Sequence, residues 1–186
     1  VVGDYGIEFP ADVEGLRAAG TEFLTAAFHA TGVLSPDNSV TAIEQCTEVG
    51  GGSTGRKALL TVRYHRPEPG LHNDLFAKFS RDFDDPVRDR GKTQMEQEVR
   101  FAALALGADF PIPVPRPQFG DYQAESGTGL LITERIAFGH NGIEPQYEKC
   151  LDFAMPDQFG HYRALLTTVA RLAGTEQAGL LPARVD

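Results

Sequence analysis

Gly50, Gly52 and Gly55 stand in G-x-G-x-x-G spacing between a strand-like run that ends at Val49 and another that begins at Ala58. Residues without a Cβ let backbone N–H groups approach phosphate oxygens closely and accept positive φ without strain, which suits a loop that covers phosphates. The flanking elements decide which kind of loop this is. A dinucleotide-binding fold needs a helix after the third glycine, but Ala58, Leu60, Val62 and Tyr64 alternate onto one face and predict a strand. A P-loop needs Lys and then Ser or Thr directly after its last glycine. Here Arg56, Lys57 and Ala58 follow Gly55, so the magnesium-binding hydroxyl is missing. By spacing alone the segment is either a phosphate cover or a flexible hairpin tip.

Lys78 is the second unusual residue, because it lies between Ala77 and Phe79 in the apolar run Leu75-Phe76-Ala77-Lys78-Phe79. A solvated ammonium is not expected in such a strand. It either snorkels to water from a sheet edge or has an anionic partner. Strand, glycine hairpin, strand, lysine strand, then a helix containing Glu96 and Glu98 is the order in which kinases assemble phosphate binding, with a helix glutamate orienting the strand lysine. The helix carries an apolar stripe of Met95, Val99, Ala102 and Leu106. At 100° per residue, Glu98 falls about 70° from the centre of that stripe and Glu96 about 90° away on the opposite flank. Either carboxylate reaches the rim of the core, and each is otherwise a solvent-facing helix residue.

Several elements must position these groups. Pro10-Ala11-Asp12 opens a helix running to about Thr31, with Leu16, Phe23, Leu24, Ala27 and Phe28 at helical spacing and Gly32 as its stop. Residues 40–49 read as a first strand, and with the two runs around the hairpin and Lys78 they form an antiparallel meander. Residues 81–91 are dense in charge and read as solvated linker. Pro111, Pro113, Pro115 and Pro117 forbid helix and lead into a strand near 119–122. Residues 130–133 form a strand apolar enough to be buried on both faces. Gly139 to Gly142 reads as a crossover, and Leu165, Leu166, Val169 and Leu172 stripe a last helix over residues 162–172.

Composition bounds the functions available. The chain has 186 residues and a net charge of -9, which argues against a general nucleic-acid binder. Cys46 and Cys150 have no ligand or disulfide spacing, and a reduced, cytoplasmic setting is the expectation. No apolar run approaches the roughly 20 residues that cross a bilayer, so no membrane partner is expected. His29, His65, His72, His140 and His161 are scattered, with neither H-E-x-x-H nor G-x-S-x-G, which disfavours a metal-dependent hydrolase or a Ser/His/Asp enzyme.

Together these patterns resemble the aminoglycoside phosphotransferase and choline kinase-like family, including its ecdysteroid-kinase-like branch. Gly50-Gly51-Gly52-Ser53-Thr54-Gly55 is similar to its nucleotide loop, and Leu75-Phe76-Ala77-Lys78-Phe79 to its lysine strand. Glu98-Val99-Arg100-Phe101 resembles the E-[VI]-R-F segment of its glutamate helix, which favours Glu98 over Glu96. Leu130-Leu131-Ile132-Thr133-Glu134-Arg135-Ile136 resembles the strand that leads into its interlobe hinge.

The resemblance implies an α+β fold: a protein-kinase-like N-lobe with an antiparallel five-stranded sheet, a glutamate helix and an extra N-terminal helix, followed by the start of a helical C-lobe. It divides the chain into a helical extension (1–38), an ATP-binding lobe (39–137) and a hinge with the first C-lobe helix (138–186). ATP would lie beneath Gly50, Gly52, Ser53, Thr54 and Gly55, on Lys78 oriented by Glu98, with adenine at backbone groups of Glu134 and Ile136. The implied activity is transfer of the ATP γ-phosphate to a small-molecule hydroxyl, with magnesium held by C-lobe ligands.

The family's H-G-D catalytic loop, followed after four residues by Asn, is absent. His72-Asn73-Asp74 precedes the lysine strand and has Phe79 five residues after Asp74, and His161 is followed by Tyr162-Arg163. These residues are therefore expected to be a truncated, catalytically inactive piece of the enzyme, ending about where that loop would begin. The alternative is a non-enzymatic nucleotide- or protein-binding module that covers its exposed apolar surface by dimerising or docking.

Overall fold

The computed structural model describes residues 1–51, 53–107 and 109–181. It is a mixed α+β structure built on a five-stranded antiparallel sheet. The elements in chain order are α1 (Val13–Ala30), β1 (Val40–Val49), β2 (Lys57–Tyr64), β3 (Asp74–Phe79), α2 (Pro86–Asp89), α3 (Met95–Ala105), β4 (Pro117–Gln123), β5 (Thr128–Glu134) and α4 (Gln158–Gln177). The strands lie in the order β1-β2-β3-β5-β4. The three-strand meander is present, and β5 inserts between β3 and β4.

Asp12 starts α1 by accepting the Gly15 N–H at 2.7 Å, satisfying one of the donors a helix N-terminus leaves free. Gly32, at φ 70°, ends it. Gly20 lies inside at φ 64° and kinks the helix, so its apolar row is presented in two pieces. Both pieces reach the sheet. Leu16, Leu24, Ala27 and Phe28 pack with Leu60, Phe79, Phe119 and Ile132 in one core, which Phe9 closes. The Thr31 hydroxyl donates to the Gln118 carbonyl at 2.7 Å, tying the end of α1 to β4.

Strand alternation assigns the two faces of the sheet. Ala58, Leu60, Val62 and Tyr64 of β2, with Leu75, Ala77 and Phe79 of β3, are buried beneath α1. Lys57, Leu59, Phe76 and Lys78 alternate with them onto the opposite face. Over β4 and β5 that opposite face is covered by α3, through Met95, Val99, Tyr122 and Leu131. Of β5, Leu130 and Ile132 are buried, while Leu131 and Thr133 are only half-buried. Burial on both faces thus holds for one side of the strand and partly for the other.

Two expectations are corrected. Residues 81–91 are only partly a solvated linker: Phe83, Asp84, Pro86, Val87 and Arg90 are exposed, while the charges of Arg81, Asp82, Arg88 and Asp89 close on one another. Asp89 receives Arg81 through two nitrogens at 2.7 and 2.9 Å and the Asp82 N–H at 2.9 Å. Asp85 caps α2 by accepting the N–H groups of Val87 and Arg88. In the other direction, the last helix is longer than its stripe predicts and buries none of its residues.

Candidate functional site

The glycine hairpin joins β1 to β2, and its base is fixed from three sides. Arg56 pairs with Glu48 through two hydrogen bonds of 2.6 Å, which hold the Glu48 carboxyl below the usual carboxylate range. Gly55 sits at φ 56°, and a Cβ there would lie 1.7 Å from the Phe79 carbonyl oxygen. Only glycine fits that approach to β3. The Arg88 guanidinium donates to the Gly55 carbonyl, and Gly91 leaves room for the methyl group of Thr54. The charged segment thereby clamps the hairpin.

Above this base the loop is open. A Cβ on Gly50 or Gly51 would meet no atom within 4 Å, and Ser53 is exposed. Among the described residues, the N–H groups of Gly51, Ser53, Thr54 and Gly55 donate no hydrogen bond. Gly52, expected in the same site, lies outside the described residues.

Beneath the hairpin, β2 and β3 pair so that Lys57 stands directly opposite Lys78, with Leu59 opposite Phe76 two register positions on, on the same face. Lys78 meets the carboxylate of Glu98, its Nζ lying 2.5 and 2.7 Å from the two oxygens. Glu96 turns the other way and accepts from Arg100 at 2.9 and 3.1 Å. Of the two helix carboxylates, Glu98 is therefore the one that orients the strand lysine. Lys57 Nζ donates to the carbonyls of Gly51 at 2.8 Å and Thr54 at 3.1 Å. Burial is the main influence lowering its pKa, and the neighbouring charges of Lys78 and Arg88 add to it. The half-buried Leu59 and Phe76 continue the same face as an apolar floor.

At the far end of β5, the Glu134 N–H donates to the Arg116 carbonyl at 2.8 Å. Its carboxylate accepts the Arg116 N–H at 2.9 Å and lies 3.2 Å from His72 Nδ1. Its carbonyl accepts the Thr133 hydroxyl at 3.0 Å. Glu134 thus joins β5 to the lead into β4 and has no free N–H for a ligand. Ile136 differs, since among the described residues neither its N–H nor its carbonyl forms a hydrogen bond.

The arrangement fits a polyphosphate: unspent N–H groups above, cations below, and an apolar floor beside them. Among the described residues no three His, Cys, Asp or Glu side chains cluster to hold a metal ion. Sequence reasoning missed Lys57 and Arg88, both of which touch the hairpin. The signal for Lys57 is its place two residues past the last glycine, but its pairing with Lys78 depends on a strand register that linear spacing does not state. Among the described residues no helix is long and apolar enough to cross a membrane. No protein-family model matches the chain, and neither does any curated protein or solved structure.

Proposed function

We propose that this chain binds ATP as the nucleotide-binding lobe of a small-molecule O-phosphotransferase. In this reading the sheet with α3 as its glutamate helix is a protein-kinase-like N-lobe, α1 is an added N-terminal helix, and residues 138–186 are the hinge and the start of a helical C-lobe. The observation that carries it is the Lys78–Glu98 pair directly beneath the hairpin of residues 50–55.

Transfer of the γ-phosphate to a hydroxyl is largely a matter of position and charge stabilisation. Lys78 holds phosphate oxygens, Glu98 fixes the lysine side chain, and the hairpin N–H groups close over the anion. Leu59 and Phe76 offer the base an apolar surface, and the free backbone groups of Ile136 offer it hydrogen bonds. The residues that orient the acceptor hydroxyl and hold magnesium belong to an H-G-D…N loop, which these 186 residues do not contain.

Equilibrium titration with a fluorescent ATP analogue, displaced by ATP, tests the reading. Lys78→Ala is expected to weaken ATP binding about tenfold or more in a chain that still folds, as checked by circular dichroism. Absence of ATP binding by the unaltered chain, or equal affinity in the variant, overturns it. In a chain that also carries the catalytic loop, the same substitution should abolish transfer, and retained turnover refutes the role of the lysine. A second reading, a nucleotide- or protein-binding module without catalysis, is favoured by the exposed apolar row of α4. Nucleotide binding without transfer in that longer chain would select it.

A further inference from the structure

The cations beneath the hairpin are not equally partnered. Arg56 is matched by Glu48, with Asp84 at 3.4 Å and Glu14 at 3.6 Å as well, Lys78 by Glu98, and Arg88 by Asp82 at 2.9 Å. Lys57 has no such match. Among the described residues no carboxylate lies within ion-pair distance of its ammonium, which is held by two carbonyl oxygens of the loop above it. It faces Lys78 across the β2–β3 ladder. Directly opposed residues of antiparallel strands bring their Cβ atoms to about 4.5–5.5 Å, and like charges so placed repel. A further anion placed between the two ammonium groups would relieve that repulsion.

We propose that Lys57 is a second phosphate-binding cation of this site, holding a nucleoside triphosphate jointly with Lys78. The inference rests on the ATP-binding reading above. In the ligand-free chain the Lys57 ammonium braces the hairpin from below, through the carbonyls of Gly51 and Thr54. Peptide carbonyls are neutral acceptors, whereas a phosphate oxygen adds a full opposite charge to the hydrogen bond. A bound triphosphate therefore draws the ammonium toward itself, while the N–H groups of Gly51, Ser53, Thr54 and Gly55, which have no acceptor among the described residues, turn to the same anion. Lys78 is held in place by Glu98 and contributes a fixed charge. Lys57, with no carboxylate at ion-pair distance among the described residues, contributes a charge that the ligand would pair directly.

The test compares Lys57→Gln, Lys57→Arg and Lys78→Gln with the unaltered chain in competition titrations against ATP, adenosine and inorganic tripolyphosphate at fixed ionic strength. Lys57→Gln is expected to weaken ATP and tripolyphosphate about tenfold or more and to leave adenosine unchanged. Lys57→Arg keeps the charge and should hold ATP within about threefold of the unaltered chain, so a folding defect in the Gln variant would not decide the matter. If Lys57→Gln binds ATP normally while Lys78→Gln does not, the inference fails and the ATP-binding reading stands. If Lys57→Gln weakens adenosine as much as ATP, the lysine is only a loop brace and the inference fails. If the unaltered chain binds no ATP, both fail.

Discussion

The charged segment 81–91 and the apolar-striped helix α4 differ in what their side chains touch. In the first, Arg81 and Asp89 are each only 17% exposed, and Arg88 reaches across to the hairpin. In the second, Phe159, Leu165, Leu166 and Val169 stand in solvent, Leu166 at 67%. Charge is packed where opposite groups meet in matched geometry and the remaining acceptors take backbone N–H groups. Here the Asp89 carboxylate is filled by one guanidinium and one amide. An apolar stripe is packed only where another surface is presented to it, as β1 and β4 are presented to α1. Composition states what a segment needs, while topology decides whether the need is met.

The largest test of that contrast is removal of the Asp89 carboxylate. Asp89→Ala leaves Arg81 without its partner and the Asp82 N–H without its acceptor, at an expected cost of about 1–3 kcal/mol in urea unfolding. It should also speed amide exchange at Phe79, whose N–H donates to the Arg56 carbonyl at the base of the hairpin, because the segment holding Arg88 against the hairpin is loosened. A cost under about 0.5 kcal/mol would return residues 81–91 to the status of a solvated linker.

A smaller effect sharpens the same point through pH. The Arg81 guanidinium, hydrogen-bonded to Asp89, holds that carboxyl below its ordinary range in the folded chain. A depressed folded pKa contributes stability that is fully present above the unfolded value of about 3.9 and is lost as pH falls through the folded one. The stability gap between the unaltered chain and Asp89→Asn should therefore be constant above about pH 5 and narrow below about pH 4. A gap that stays constant down to pH 2 would show that the carboxylate charge contributes nothing.

Much of the fold was legible in the sequence because it depends on local period. The 3.6-residue repeats gave α1 and α3, and alternation gave β2 and β3 to within a residue. Lys78 is legible from its place in an apolar strand and the hairpin from its glycine spacing, whereas helical period leaves Glu96 and Glu98 both open and only the resemblance of Glu98-Val99-Arg100-Phe101 to a family segment favours Glu98. What depends on register was not legible. Alternation puts Lys57 on the face of Lys78, but only the β2–β3 pairing sets them opposite each other. The packing of residues 81–91 depends on Arg81 meeting Asp89 across a turn, which charge density conceals. The N–H of Glu134 is consumed by Arg116, a partner 18 positions away in sequence.

The smallest expected effect is the most direct check on α4. Leu166→Lys replaces an exposed leucine with a residue of similar helix propensity, so propensity contributes little to the change. If no surface covers the stripe in the isolated chain, stability should move by no more than about 0.5 kcal/mol, with no dependence on protein concentration. The equivalent row of α1 gives the scale for comparison. Leu24 there is fully buried against the sheet, and truncating such a residue to Ala costs about 2–5 kcal/mol. A loss above about 1 kcal/mol at Leu166, growing with protein concentration, would mean that a second copy covers α4 in solution. The contrast between the two segments would then concern the single chain only, with the apolar need of α4 met between chains.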